Sequence, residues 1–390
     1  MNYGGAYYPK ASLSWLLSDE SFFPHVRGMN ELRIRASVGS SGVQPGGTAA
    51  LKTYSVGNVF FLGTAAAGLA QANPGNADLK PERSTEFEAG IDTRWWSDRL
   101  NFEITYYRKR TKDALVTQPV APSAGVNSYL ANIGGVQNMG WEYRLQAQLL
   151  DLRNIGLDVM FSGSNNSNRI TALGNVITTP TSNIQVGLPM YAVIQRSITY
   201  DDANKDGYLA TNEVTISPAT AVSFLGPRFA PVQLALNAGV DLFQHRLRLS
   251  TLFDRKAGGW DSDLERQLPC LVGTSCPELQ KLHPTLAEQA RGIALRQGVF
   301  AGYVERTDFT KWREVSATYD FGAALNRWTF AAKRTQLTFA ARNLKIWKKY
   351  WTGVDPEGFI AADQDNPANQ QNVLTVAAPL YYMLRLNVVF

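Results

Sequence analysis

Apolar and polar residues alternate one by one through most of this chain, and that period of two leaves few folds open. From Leu100, the residues Leu100, Phe102, Ile104 and Tyr106 share one face, while Asn101, Glu103, Thr105 and Tyr107 share the other. The same alternation sets Phe87, Ala89 and Ile91 against Glu86, Glu88 and Asp92, and Tyr143, Leu145 and Ala147 against Glu142, Arg144 and Gln146. It recurs at Leu247, Leu249 and Phe253 against Arg246, Arg248 and Ser250, and at Leu337, Phe339 and Ala341 against Gln336, Thr338 and Arg342. Clean alternation marks strands with two unlike faces. These runs are about ten residues long, the length at which a tilted strand crosses a bilayer.

Eleven strands are expected, near Ala11–Leu17, Glu31–Val38, Ser84–Trp95, Leu100–Arg110, Gly140–Leu150, Ile155–Gly163, Val232–Leu242, Arg246–Phe253, Lys311–Phe321, Thr335–Arg342 and Leu380–Phe390. Short turns fall at W-S-D-R, D-L-R-N and L-F-Q-H. Long excursions fall at 39–83, 111–139, 164–231, 254–310 and 343–379. Short and long connections alternate, as in antiparallel outer-membrane β-barrels, whose strands turn an apolar face to lipid and a polar face to a wet lumen. A periplasmic C-terminus then places all five excursions outside the cell. Eleven strands cannot close, because open edges in lipid leave backbone groups unsatisfied. With no signal-peptide pattern after Met1, the chain reads as the second half of a larger barrel.

Composition narrows the function. Charged residues are only 18% against 45% hydrophobic, a mix that suits a β-rich exported protein. The net charge of +5 is scattered, with no basic stripe for nucleic acid. No run of about 18 apolar residues marks a transmembrane helix. G-x-S-x-G, H-E-x-x-H and Walker loops are absent, and His25, His245 and His283 lie far apart in sequence, so no enzyme is expected. Cys270 and Cys276 are the only cysteines, and in an oxidising compartment they are expected to pair across a small loop; two free thiols are the alternative.

The chain ends Y-Y-M-L-R-L-N-V-V-F, with Tyr382, Leu384, Leu386, Val388 and Phe390 on one face. This resembles the C-terminal signal read by the barrel-assembly machinery of bacterial outer membranes. Longer motifs add to it. L-K-P-E-R-S-T-E-F-E-A-G-I-D (Leu79 to Asp92), Y-Y-R-K-R-T-K-D-A-L (Tyr106 to Leu115), N-I-G-G-V-Q-N-M-G-W-E (Asn132 to Glu142) and A-R-N-L-K-I-W-K-K-Y-W-T-G-V-D-P-E (Ala341 to Glu357) occur in order. The set resembles the SusC/RagA-like branch of the TonB-dependent outer-membrane transporters. That resemblance implies a 22-strand barrel, of which this chain covers the last eleven strands without the plug. It also implies import of oligosaccharides or peptides, energy coupling to TonB through an N-terminal part, and a SusD-like surface lipoprotein as partner. A calcium-stabilised surface adhesin is the alternative function.

One motif points to metal. D-A-N-K-D-G-Y-L-A-T-N-E, from Asp202, matches the twelve-residue calcium-loop spacing. Asp202, Asn204 and Asp206 offer side-chain oxygens, Tyr208 a carbonyl and Glu213 a bidentate carboxylate, while Gly207 permits the sharp turn. The flanks are not helical, so a structural calcium pinning an external loop is expected rather than a sensor; a metal-free polar turn is the alternative. Trp347 and Trp351 suit either an interfacial aromatic girdle or a stacking platform for substrate, and Trp260, inside a long excursion, is a further candidate substrate contact.

Overall fold

The computed structural model describes residues 5–61, 64–119, 128–176, 178–272, 275–322, 332–358, 360–361, 370–371 and 376–390. At its centre is one antiparallel sheet of eleven strands in which sequence neighbours are sheet neighbours. We label these wall strands β1 (Lys10–Leu16), β2 (Met29–Ser41), β3 (Arg83–Trp95), β4 (Leu100–Pro119), β5 (Ser128–Asp151), β6 (Ile155–Ala172), β7 (Val232–Leu242), β8 (Leu247–Ala257), β9 (Phe309–Gly322), β10 (Arg334–Lys348) and β11 (Tyr381–Val389). All eleven expected strands are present, and Val232–Leu242 falls on the expected residues. β1 and β11 are the sheet's two edges.

One excursion needs correction. The stretch 111–139 is not chiefly loop, because β4 runs on to Pro119 and β5 begins at Ser128. The period of two fails there because the register shifts at Lys112, Ala114 and Leu115, and again between Gly135 and Val136. Each bulge moves the following side chains to the opposite face.

The turns at the other end are tight. Trp96, Ser97 and Asp98 all have φ between 52° and 66°, as do Phe243, Gln244 and His245 between 54° and 62°. These left-handed residues reverse the chain with a twist that matches the strands they join.

Among the described residues, the wall carries none of the buried apolar clusters. Its apolar face stays open, with Leu13 66%, Phe87 46%, Ile91 43%, Phe339 48% and Leu384 70% exposed. Aromatic side chains on that face gather at two levels. Trp95 with Trp96 (6.0 Å) and Tyr319 with Phe321 (4.8 Å) lie toward the tight turns. Tyr106 with Trp141 (5.1 Å) and Phe253 with Trp312 (5.5 Å) lie toward the long loops. Such paired belts mark the two interfaces of a bilayer.

The polar face is laced across strands. Arg35 reaches Asp92 at 3.1 Å, and Arg248 lies between Asp158 at 2.9 Å and Asp241 at 2.7 Å. Both arginines lie across glycines. A Cβ on Gly90 would stand 2.8 Å from the Arg35 guanidinium carbon, and one on Gly239 would stand 2.8 Å from that of Arg248. The buried apolar clusters are instead in the long loops, around Leu209, Val214, Ala290 and Ile293, and around Cys270, Cys276, Leu295 and Tyr303.

Candidate functional site

The functional candidates gather at the long-loop end of the wall and on its polar face. A polar-face cavity of about 690 Å³ is lined by Glu86, Glu88, Glu103, Glu142, Arg35 and Arg144, among others. On β3 and β4 the lining alternates, Glu86 with Glu88 and Glu103 with Thr105 and Tyr107, as the period of two dictates; on β5 to β8 it takes consecutive residues, such as Ser162 to Ser164.

Above the wall, three helices fill the excursion 254–310: α1 (Leu264–Val272), α2 (Pro277–Gln280) and α3 (Leu286–Arg296). Thr285 caps α3, accepting from Glu288 N through its hydroxyl, while the Glu288 carboxylate accepts from Thr285 N at 2.8 Å. A side-chain hydrogen bond from Lys281 and those from Thr285 hold the Glu288 carboxyl at about 2. Cys270 and Cys276 are joined as a disulfide between α1 and α2. Tyr303 is fully buried beside it, with the Arg266 and Arg291 guanidinium carbons 5.8 and 5.5 Å from its ring centre. Burial, and then the Glu278 charge, push the Tyr303 hydroxyl well above its ordinary value.

The calcium-loop residues form a tight turn that rests on α3. Both Asp202 carboxylate oxygens accept backbone donors, from Asp206 N at 3.2 Å and Gly207 N at 3.0 Å. Asn204 donates to Asp206 at 2.8 Å, Asp206 accepts from Tyr208 N at 2.7 Å, and Glu213 bridges Ala203 N and Ala210 N. Lys205 and Gly207 take positive φ, 58° and 80°. Gln289 of α3 clasps the turn, accepting from Leu209 N at 2.7 Å and donating to the Gly207 carbonyl at 2.9 Å. The donor set is all oxygen, as calcium requires, and each carboxylate keeps lone pairs beyond those taken by the backbone. Among the described residues, the one group of three His, Cys, Asp or Glu ligand atoms within 4.8 Å of one another is Cys270, Cys276 and Glu278, whose sulfurs are already bonded together.

The segment 350–358 links this helical crown to the wall. Thr352 N donates to Glu305 at 2.7 Å, and Arg266 pairs with the same carboxylate at 3.0 Å. At the other end, Lys311 of β9 holds Asp355 at 2.8 Å and Glu357 at 2.6 Å. Glu357 also meets Arg313 at 2.6 Å and Lys256 at 2.8 Å, and Arg313 returns to Asp254 at 2.6 Å. Burial alone would raise Glu357, but hydrogen bonds from Lys256, Lys311 and Arg313 outweigh it and hold the carboxyl at about 2. Asp263, fully buried under this segment, is pushed the other way by its burial. Sequence reading missed this cluster, because its partners lie 44 or more residues apart with no local period to join them.

The three tryptophans weighed as substrate contacts stand in three different settings. Trp347 lies on the apolar face, stacked on Phe253 at 6.3 Å, which is a girdle position. Trp351 is 3% exposed, its ring against Gly353. Trp260 packs across Gly226, where a Cβ would stand 2.6 Å from its indole nitrogen. None of the three is among the residues that line the polar-face cavity. His25, His245 and His283 are all exposed. Tyr382, Leu384, Leu386 and Val388 share the apolar face of β11, the edge strand, and Tyr382 stacks on Phe339 at 5.9 Å.

Comparison with known proteins agrees with this geometry. Residues 1–344 match the family described as TonB dependent receptor-like, beta-barrel. TonB-dependent receptor P26 of Formosa agariphila is 30% identical over 173 residues, and TonB-dependent receptor SusC of Bacteroides thetaiotaomicron is 27% identical over 172. Each alignment covers 17% of the relative, and 44% and 43% of this chain, respectively. A solved structure of the RagAB peptide transporter superposes with a TM-score of 0.75 at 18% identity, covering 98% of this chain and 43% of that one. The RagAB peptide importer in its open-open state gives 0.72 at 17% identity, covering 100% of this chain and 43% of that chain. At such identities the superpositions establish the fold. This chain spans less than half of the solved chains it matches. The relatives carry the names of receptors and transporters, none that of an enzyme. The match takes in most of the chain, and the chain belongs to the TonB-dependent receptor-like β-barrel family of the outer membrane.

Proposed function

We propose that this chain is the C-terminal half of a 22-strand outer-membrane barrel that imports nutrients too large for passive pores. The observation that carries the reading is the wall itself, polar on one face, apolar on the other, and open at β1 and β11. An open edge in lipid is unsatisfied until further strands close it. The tight turns then face the periplasm, and the crown of helices and loops faces outward. The polar-face cavity lines the solute path, and its mix of carboxylates, guanidinium groups and hydroxyls suits oligosaccharides or peptides. Energy would come through TonB from a part of the protein outside this segment, and a SusD-like surface lipoprotein would cover the external end. The β11 residues from Tyr382 to Phe390 would be read by the barrel-assembly machinery. Calcium, held by Asp202, Asn204, Asp206, Glu213 and the Tyr208 carbonyl, would pin the external loop against α3.

The test is genetic. The gene is deleted in its host, and growth is measured on defined oligosaccharides and on peptides as sole carbon or nitrogen source. Loss of growth on one class, restored by the full-length gene, is the expected result. Unchanged growth and uptake on every polymer, with the barrel present in wild-type outer membranes, would sink the import reading.

A further inference from the structure

A second site lies on the apolar face, at the long-loop end. It is a groove of about 570 Å³ whose lining includes Arg255, Arg306, Lys348 and Lys349 against a single carboxylate, Asp308. That carboxylate is spent inward. It is buried, accepts from Gly258 N at 2.7 Å and pairs with Arg306. Lys348 also turns inward, to the Gly353 carbonyl. Arg255 and Lys349 are exposed, and among the described residues neither has a carboxylate partner; Arg255 bonds only the Thr310 hydroxyl, at 3.3 Å.

The depth of the groove identifies its ligand. Phe253 stacks on Trp312 and Trp347, which marks the interfacial aromatic level. Arg255 stands two residues further along β8 on the same face, paired in register with Thr310, which pairs in turn with Trp347. Lys349 lies 5.3 Å from the Tyr350 ring and Arg306 4.7 Å from it. Arg255 therefore stands one pleat above Phe253 and Trp312 and level with Trp347, on the side that meets lipid, with Arg306 and Lys349 beside the Tyr350 ring. Cations there are costly unless they meet anions. Guanidinium and ammonium groups bind phosphate well, the former through a fork that matches its oxygens.

We infer that this groove binds the phosphorylated headgroup of a lipid in the adjoining leaflet, with acyl chains against Phe253, Trp312 and Trp347. The inference rests on the wall spanning a membrane, as proposed above. A soluble anion would need no apolar floor beneath the cations, which is why we commit to lipid.

The experiment uses the full-length protein, delipidated in detergent. It is titrated with diphosphorylated lipid A, with the same lipid after enzymatic removal of its phosphates, and with inorganic phosphate, and adducts are read by native mass spectrometry. Replacing Arg255, Arg306 and Lys349 together by Gln is expected to weaken the phosphorylated lipid roughly 100-fold, and each single replacement about 5-fold. Arg246→Gln, an exposed cation at the opposite end, leaves binding unchanged. Equal binding of the dephosphorylated lipid, tight binding of inorganic phosphate alone, or an unaffected triple variant each overturns the proposal. Heat-dependent gel mobility separates the two readings. Wild-type protein without the shift overturns the barrel and the groove together, whereas shifted protein without phosphate preference overturns the groove alone.

Discussion

The side-chain amide of Asn132 takes both backbone hydrogen-bonding groups of Lys80: its oxygen accepts from Lys80 N at 2.8 Å and its nitrogen donates to the Lys80 carbonyl at 2.8 Å. The same nitrogen donates to the Asp113 carbonyl at 2.8 Å. Nearby, Leu79 is fully buried and Glu82 accepts from Leu115 N at 2.7 Å. The L-K-P-E and N-I-G-G motifs are thus two halves of one brace, which supports β4 and β5 beyond the ordinary wall. Asn132→Ala should cost about 1 kcal/mol locally. Hydrogen exchange at the Lys80 amide should then speed up about 5-fold, with the amides of β7 and β8 unchanged.

The Glu357 cluster sets a pH window. Its folded carboxyl sits at about 2, below the ordinary 4.5. A depressed acid contributes its full stabilisation above the unfolded value and loses it as pH falls through the folded one. The crown should therefore loosen from the wall between pH 4.5 and 2. Amide hydrogen exchange, corrected for the intrinsic pH dependence of the rate, should show protection within 350–358 falling across that range. Glu357→Gln should show the reduced protection already at neutral pH. Lys311→Met should behave worse, because it leaves Asp355, itself buried, without its ammonium partner.

The disulfide should matter to the crown and not to the wall. Paired replacement of Cys270 and Cys276 by Ser removes a short cross-link, worth about 2 kcal/mol by chain entropy. Protease sensitivity within 264–303 should rise, while the heat-dependent mobility of the barrel stays as it was. A change in barrel mobility would show that crown and wall fold as one unit.

Calcium should stabilise the same region. Calorimetry on the full-length protein should give heat with millimolar calcium, and Asp206→Ala should remove it. Calcium should also slow hydrogen exchange at Leu209, whose amide is held by Gln289. No heat in the wild type would leave the loop as a turn held by its own backbone bonds.

The wall was legible because one face meets lipid and the other water, and that contrast prints a period of two on the sequence. Val232–Leu242 needed no correction for this reason. The extended parts of β4 and β5 were not legible, because bulges at Lys112 to Leu115 and at Gly135 broke the period. The crown was less legible still. Its helices are short and lie inside an excursion bounded by strands, and its anchoring ion pairs join residues far apart in sequence. The calcium spacing was plain from Asp202 to Glu213, but its support by Gln289, 80 residues from Leu209, was not.

The buried apolar clusters belong to the loops and not to the wall. A crown with its own interior, its own cross-link and a few ionic anchors is a structural unit in its own right. Substitutions inside it can therefore be absorbed without disturbing the membrane-facing sheet beneath.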